Sequence, residues 1–303
     1  MAEVSPFRGI FTIPSTPFRP DGNIDTEGFR RIVAFCVGCG AHGLVYPVNA
    51  SEFTALSDRE RETLAEILVD ENKGRCPVII NVAAVSKEVA VRFADHAREL
   101  SVDGVIAMPP YVRKRDLAVA TIIDYYKAVS DAVRMPIFVQ NDMPPVGTEM
   151  STELLLRLCR EIQWVQYVKE ETTPSTIKLS RLIEANDGSC KGCFGGGSAR
   201  YLAEEYRRGS SGNMPGCHLT DVIVALWNAL EAGDQERSMR IVQSMAPMLF
   251  FQDQVPDCYK EVLKRRGVIE FSGRRNAQPM MDRIASDYLD LLVLNLDEFM
   301  TWR

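Results

Sequence analysis

The chain has 303 residues, 46% hydrophobic and 25% charged, with a formal net charge of −6. That balance suits a globular protein that buries roughly three quarters of its unfolded surface and needs no disulfide or metal to hold a core. The acidic total argues against nucleic acid, which is bound through clustered Lys and Arg, and no run of about 18 apolar residues is present to span a membrane.

Met1 to Arg8 lack the charged start and apolar stretch of a signal peptide, so a cytoplasmic protein is expected. Two cysteine pairs, Cys36/Cys39 and Cys190/Cys193, have C-x-x-C spacing. The first falls in an amphipathic helix pattern and the second opens an apolar strand. The histidines (His42, His96, His218) show no ligand spacing. Reduced, buried thiols are therefore expected, with no metal and no cofactor.

Taken in order, the chain alternates apolar runs with helical patterns. The first run is Gly9 to Phe18; a helix follows from Thr26, with Phe29, Ile32, Val33 and Cys36 on one face. Gly43 to Val48 is a second strand. Ser57 and Glu60 form a capping box that starts a helix at Asp58. Pro77 to Ala83 is the third strand, with Ser86 opening its helix. Gly104 to Pro110 is the fourth, with a helix over Leu117 to Val133. Pro136 to Asn141 is the fifth, with Ser151 as the next cap. Val165 to Glu171 is the sixth, and Lys191 to Gly197 and Ser211 to Cys217 are the seventh and eighth. Eight strands, each followed by a helix, predict an α/β fold of the parallel (β/α)8 TIM-barrel type. Residues 1–233 would form the barrel and residues 234–303 a C-terminal helical extension.

The sixth strand carries the chemistry. Side chains alternate across a strand, so Val165, Tyr167, Lys169 and Glu171 share one face. A buried lysine needs a partner, and burial favours the neutral amine, a nucleophile toward carbonyls. Lys169 is thus a candidate Schiff-base residue and Glu171 a nearby acid/base, set against a plain structural ion pair. Barrel enzymes work at the C-terminal ends of their strands. Those ends here collect Asn49, Ala50, Ser51 and Glu52, then Tyr111, Gln140, Lys169, Glu171 and Met214, with His218 beyond. Gly195 to Gly197 would let a ligand approach the backbone. Gln140 either orients substrate hydroxyls or is an ordinary strand-end polar group. Tyr111 either lines the pocket or packs between subunits. His218 reads as a capping or surface histidine, and Arg113-Lys114-Arg115 as a solvated loop.

These residues resemble the dihydrodipicolinate synthase and N-acetylneuraminate lyase family, class I enzymes on 2-keto acids. The likeness runs from Thr16-Pro17-Phe18 through Ala50-Ser51-Glu52 and Pro109-Pro110-Tyr111 to Val168-Lys169-Glu170. It implies that Lys169 forms the imine, that Asn49, Ala50 and Ser51 cradle the keto acid's carboxylate, and that the chain assembles as a homotetramer. The fifth strand departs from the synthase and lyase pattern: Phe138-Val139-Gln140-Asn141 contains no tyrosine for proton transfer. Val139-Gln140, Asn49-Ala50-Ser51-Glu52 and Lys169-Glu170-Glu171-Thr172 are similar to the L-2-keto-3-deoxyarabonate dehydratase subgroup. That implies dehydration of a 2-keto-3-deoxy sugar acid. The alternatives are a pyruvate-dependent aldolase, a dihydrodipicolinate synthase, or a family member that binds a small molecule without turning it over.

Overall fold

The structure, a computed structural model, describes residues 7–110, 117–144, 147–255, 258–275 and 281–302. Eight parallel strands follow one another in sequence order as a closed barrel. They are β1 (Gly9–Thr12), β2 (Gly43–Tyr46), β3 (Val78–Asn81), β4 (Gly104–Ala107), β5 (Ile137–Asn141), β6 (Val165–Glu170), β7 (Gly192–Gly195) and β8 (Gly212–Asn213). The chain packs as two compact units, one of residues 1–9 and 77–214, the other of residues 10–76 and 215–303.

In the first unit β3 to β8 pair in register, with Val139 beside Val168 and Gln140 beside Lys169. Their connecting helices are α3 (Lys87–Glu99), α4 (Val119–Val133), α5 (Thr152–Glu161), α6 (Ser175–Glu184) and α7 (Leu202–Arg207). The hydroxyls of Ser86 and Ser151 accept the Val89 and Leu154 N–H groups, satisfying donors that a helix start leaves open. Phe138 and Tyr167 stack at 4.5 Å, and Phe7 meets both edge-on at 5.3 and 5.2 Å. Phe194 joins the same cluster, 5.6 Å from Phe138. This aromatic layer is the floor of the site. Two residues further along the same strand faces come Gln140 and Lys169.

The opposite faces of β5 and β6 do structural work. Asn141 donates to Glu170 at 2.8 Å and exchanges hydrogen bonds with the backbone of Met150. Glu170 also accepts the Thr172 N–H at 2.7 Å, so its carboxylate clamps the turn after β6.

In the second unit β1 pairs with β2, Phe11 against Gly43, where any side chain would run into the Phe11 ring. The helices are α1 (Thr26–Gly38), α2 (Asp58–Asn72), α8 (Thr220–Glu231), α9 (Gln235–Gln254), α10 (Cys258–Arg265) and α11 (Arg283–Leu294). The predicted Ser57/Glu60 capping box is present on α2. Asp221 of α8 and Arg266 form a buried ion pair at 2.5 Å, and Asp221 also accepts the Thr301 N–H. The end of the chain is thereby tied to α8. No helix among the described residues is long and apolar enough to cross a membrane.

Candidate active site

Strand β6 delivers Lys169 at its penultimate position, 2% exposed. Its Nζ lies 2.8 Å from Glu171 Oε2, and Gln140 of β5 donates to the same oxygen at 2.8 Å. The other carboxylate oxygen, Oε1, accepts the Gly197 N–H at 3.3 Å. One carboxylate thus binds an ammonium, an amide and a backbone N–H, while its side chain keeps 17% exposure against 3% for Lys169. The lysine is sealed and the acid is reachable. That suits a residue that exchanges protons with a bound molecule.

The two acids after Lys169 differ in kind. Burial raises the pKa of Glu170, with the Thr172 and Asn141 hydrogen bonds opposing, and its oxygens are spent on the turn. Glu171 turns toward the lysine. Gly196 makes that possible: a Cβ there would sit 2.1 Å from Glu171 Oε1. At Gly195 the equivalent space holds the carboxyl of Glu205, at 1.9 Å, so the room expected for a ligand there is already occupied. Met214 is buried just past β8, its N–H donating to the Gly195 carbonyl at 3.1 Å.

The strand-two residues lie in the second unit. Asn49 to Ser51 form one 3-10 turn, with Asn49 exposed, Ala50 half-buried and Ser51 fully buried. The Ser51 hydroxyl donates to the Pro14 carbonyl at 2.8 Å, and Thr16 Oγ1 donates to the Ser51 carbonyl at 2.6 Å. As placed, the Ser51 proton points at backbone, so holding an anion requires the hydroxyl to turn. Glu52 follows in the left-handed region (φ 57°), buried against Lys260 at 2.5 Å. Tyr111 and Arg113-Lys114-Arg115 lie outside the described residues.

His218 is not at the surface. It is 1% exposed and stacks on Tyr259 at 4.1 Å, with neither ring nitrogen in a hydrogen bond. Burial lowers its pKa to about 3, with Gln252 offsetting part of the fall. The eight cysteines are free thiols, and seven are buried. Cys190 and Cys193 approach to 3.8 Å between sulfurs. No group of three or more His, Cys, Asp or Glu side chains among the described residues is arranged to hold a metal.

A family model described as the dihydrodipicolinate synthetase family matches residues 6–291. The chain belongs to the dihydrodipicolinate synthetase family. Its members are class I lyases that bind small keto acids, so this chain is an enzyme of that type. The chain is 32% identical over 275 residues to an L-2-keto-3-deoxyarabonate dehydratase of Azospirillum brasilense, covering 90% of this chain and 89% of the relative. It is 30% identical over 274 residues to a 4-hydroxy-tetrahydrodipicolinate synthase of Methylobacterium radiotolerans, covering 87% of each. The crystal structure of dihydrodipicolinate synthase from Rhodopseudomonas palustris superposes with a TM-score of 0.87 at 23% identity. That match spans 98% of this chain and all of the other. Within the family, sequence reasoning singled out Lys169, Glu171 and Gln140, which the structure brings together. Glu205, buried beside Gly195 and hydrogen-bonded to Asn213 of the eighth strand end, was missed. An acid within a surface-patterned helix gives no sign of burial, and the run of glycines was the available clue.

Proposed function

We propose that this family member dehydrates a 2-keto-3-deoxy sugar acid of the L-2-keto-3-deoxyarabonate type through an imine on Lys169. The observation that carries the reading is the 2.8 Å contact between the Lys169 Nζ and the partly open Glu171 carboxylate. Glu171 takes a proton from the ammonium, and the freed amine attacks the C2 ketone. The proton returns to the carbinolamine hydroxyl, which leaves as water, and a protonated imine remains. The imine draws electrons from C3. Glu171 removes a C3 proton and passes it to the C4 hydroxyl, which departs as a second water. Hydrolysis then frees Lys169 and releases an unsaturated keto acid.

Gln140, hydrogen-bonded to Glu171, orients the acid and the substrate hydroxyls. The family resemblance assigns the keto acid's carboxylate to the turn at Asn49, Ala50 and Ser51. The dehydratase relative supports this choice, as does β5, where the aromatic residue is Phe138 in the floor and the reacting level holds Gln140. Cleavage of C3–C4 to release pyruvate uses the same imine, and the likeness to a probable 2-dehydro-3-deoxy-D-pentonate aldolase of Escherichia coli, 31% identical over 177 residues, keeps that second reading open. A cytoplasmic homotetramer is the assembly proposed, to be measured by light scattering.

The test is borohydride reduction in the presence of pyruvate or 2-keto-3-deoxyarabonate, followed by intact mass and peptide mapping. The expected result is an adduct on Lys169 that Lys169→Ala lacks, with unsaturated keto acid as product. No adduct with either compound overturns the imine; free pyruvate from the sugar acid overturns the dehydratase assignment.

A further inference from the structure

Glu205 has no part in the chemistry above, yet its surroundings reach Glu171. Helix α7 buries the side chain to 1% exposure, and its Oε2 accepts from Asn213 Nδ2 of β8 at 2.8 Å. The same Asn213 nitrogen donates to the Gly196 carbonyl at 3.0 Å. Both neighbours are acceptors, so the amide must present its NH2 to them. Its Oδ1 is left buried with no hydrogen-bond partner. An unpaired buried acceptor is unfavourable, and the amide would turn over if nothing held it.

The Gly196 carbonyl and the Gly197 N–H belong to one peptide plane. That plane's carbonyl accepts from Asn213 and from the Ala199 N–H at 3.1 Å, and its N–H donates to Glu171 Oε1 at 3.3 Å. Glycine on both sides, Gly197 at φ +55°, gives the plane little torsional restraint of its own, so its orientation depends on these hydrogen bonds, of which Asn213 supplies the one from a side chain of another strand. Rotation would withdraw the N–H from Glu171. The Glu205 carboxyl fills the space beside Gly195 as the Glu171 carboxyl fills that beside Gly196, so the two acids flank successive residues of one strand end.

We propose that Glu205 is a positioning residue: by orienting Asn213 it fixes the Gly196–Gly197 peptide, and through that peptide it sets the Glu171 carboxylate for proton transfer. The inference rests on Glu171 being the proton carrier. Burial raises the Glu205 pKa to about 7, the Asn213 hydrogen bond opposing and the charges of Glu171 and Glu204 adding to the rise. Its carboxyl therefore senses the charge of the acid it positions.

The experiment compares Glu205→Leu, Glu205→Gln and Asn213→Ala in the full chain, with 2-keto-3-deoxyarabonate for turnover and pyruvate with borohydride for imine formation. Loss of the acceptor should lower kcat by about 10- to 100-fold in the Leu variant, with KM little changed and Lys169 still trapped by pyruvate. The Gln variant, which keeps an acceptor for Asn213, should recover most of kcat. Asn213→Ala should match the Leu variant, and the double variant should be no worse than either single one, because both break the same link. A Leu variant with wild-type kcat overturns the role, and so does a Gln variant as impaired as Leu. If Glu205→Leu fails to fold, wild-type kcat in Asn213→Ala overturns it equally. Wild-type protein that traps no imine ends the reading of Lys169 and Glu171 itself. Wild-type protein that traps and dehydrates while the variants match it ends only the role of Glu205.

Discussion

Two buried lysine–glutamate pairs occur among the described residues, and they are built differently. Lys169 and Glu171 come from one strand end, two residues apart, with the acid 17% exposed and shared with Gln140 and Gly197. Lys260 and Glu52 come from distant parts of the sequence, each side chain 5% exposed. The Lys260 ammonium also lies over the Phe18 ring at 4.4 Å and donates to the Gly273 carbonyl at 3.0 Å. Arg274 reaches Glu52 from 3.4 Å, and Arg275 covers the other contact of Phe18 while holding the Glu60 pKa down to about 2. The second pair has its charges closed off on every side that a substrate would use. The first leaves one carboxylate reachable. Burial of a lysine is shared by both and decides nothing; access to its partner is what separates chemistry from architecture.

The comparison breaks most readily at Lys169. Lys169→Ala should lower turnover by about 10⁴-fold or more, and its urea midpoint should stay near wild type because the remaining acid is partly solvated; steady-state kinetics and urea titration check both. Glu171→Gln should keep the pyruvate adduct on Lys169 while lowering kcat by about 10²- to 10⁴-fold, measured by trapping beside initial rates. Lys260→Met should do the opposite of Lys169→Ala. It takes from buried Glu52 its nearer cation, leaving Arg274 at 3.4 Å, and should cost about 3 kcal/mol of stability, read from denaturant titration. A Lys260 variant as stable as wild type would erase the distinction.

The smallest expected effect concerns pH. His218, stacked on Tyr259, the residue before Lys260 in sequence, has a folded pKa near 3. An unfolded histidine takes its proton near pH 6.5. Below that value the unfolded chain binds the extra proton and the folded one does not. The stability due to neutral His218 is therefore complete above pH 6.5 and lost as pH falls from there toward 3. His218→Phe should flatten that part of the acid limb in urea midpoints taken at pH 7 and pH 5.

Much of this was legible in the residues. The alternation along Val165 to Lys169 placed Tyr167 in the floor and Lys169 above it, because strand periodicity is a local property. The Ser57/Glu60 capping box and the start of α1 at Thr26 were likewise local, each a hydrogen-bond pattern within four residues. Strand lengths were less so. β8 is Gly212–Asn213, where the apolar run suggested Ser211 to Cys217, and β1 stops at Thr12. A strand ends where its neighbour stops offering hydrogen bonds, which its own residues do not record. Glu204 and Glu205 are adjacent acids in α7, one with a side chain 49% exposed and the other buried, and nothing in the pair distinguishes them.

The sequence by itself determined the alternating strand–helix order, the inward lysine of β6 and the family to which they belong. Those follow from periodicity, capping and short motifs, all written within a few residues. Only the tertiary structure decided that the Glu171 carboxylate stays partly open beside a sealed lysine, that Glu205 and Asn213 stand behind the glycines, and that His218 and Lys260 are sealed. Burial and partnership are sums over residues far apart in the chain, and a side chain's charge acquires its role from what surrounds it.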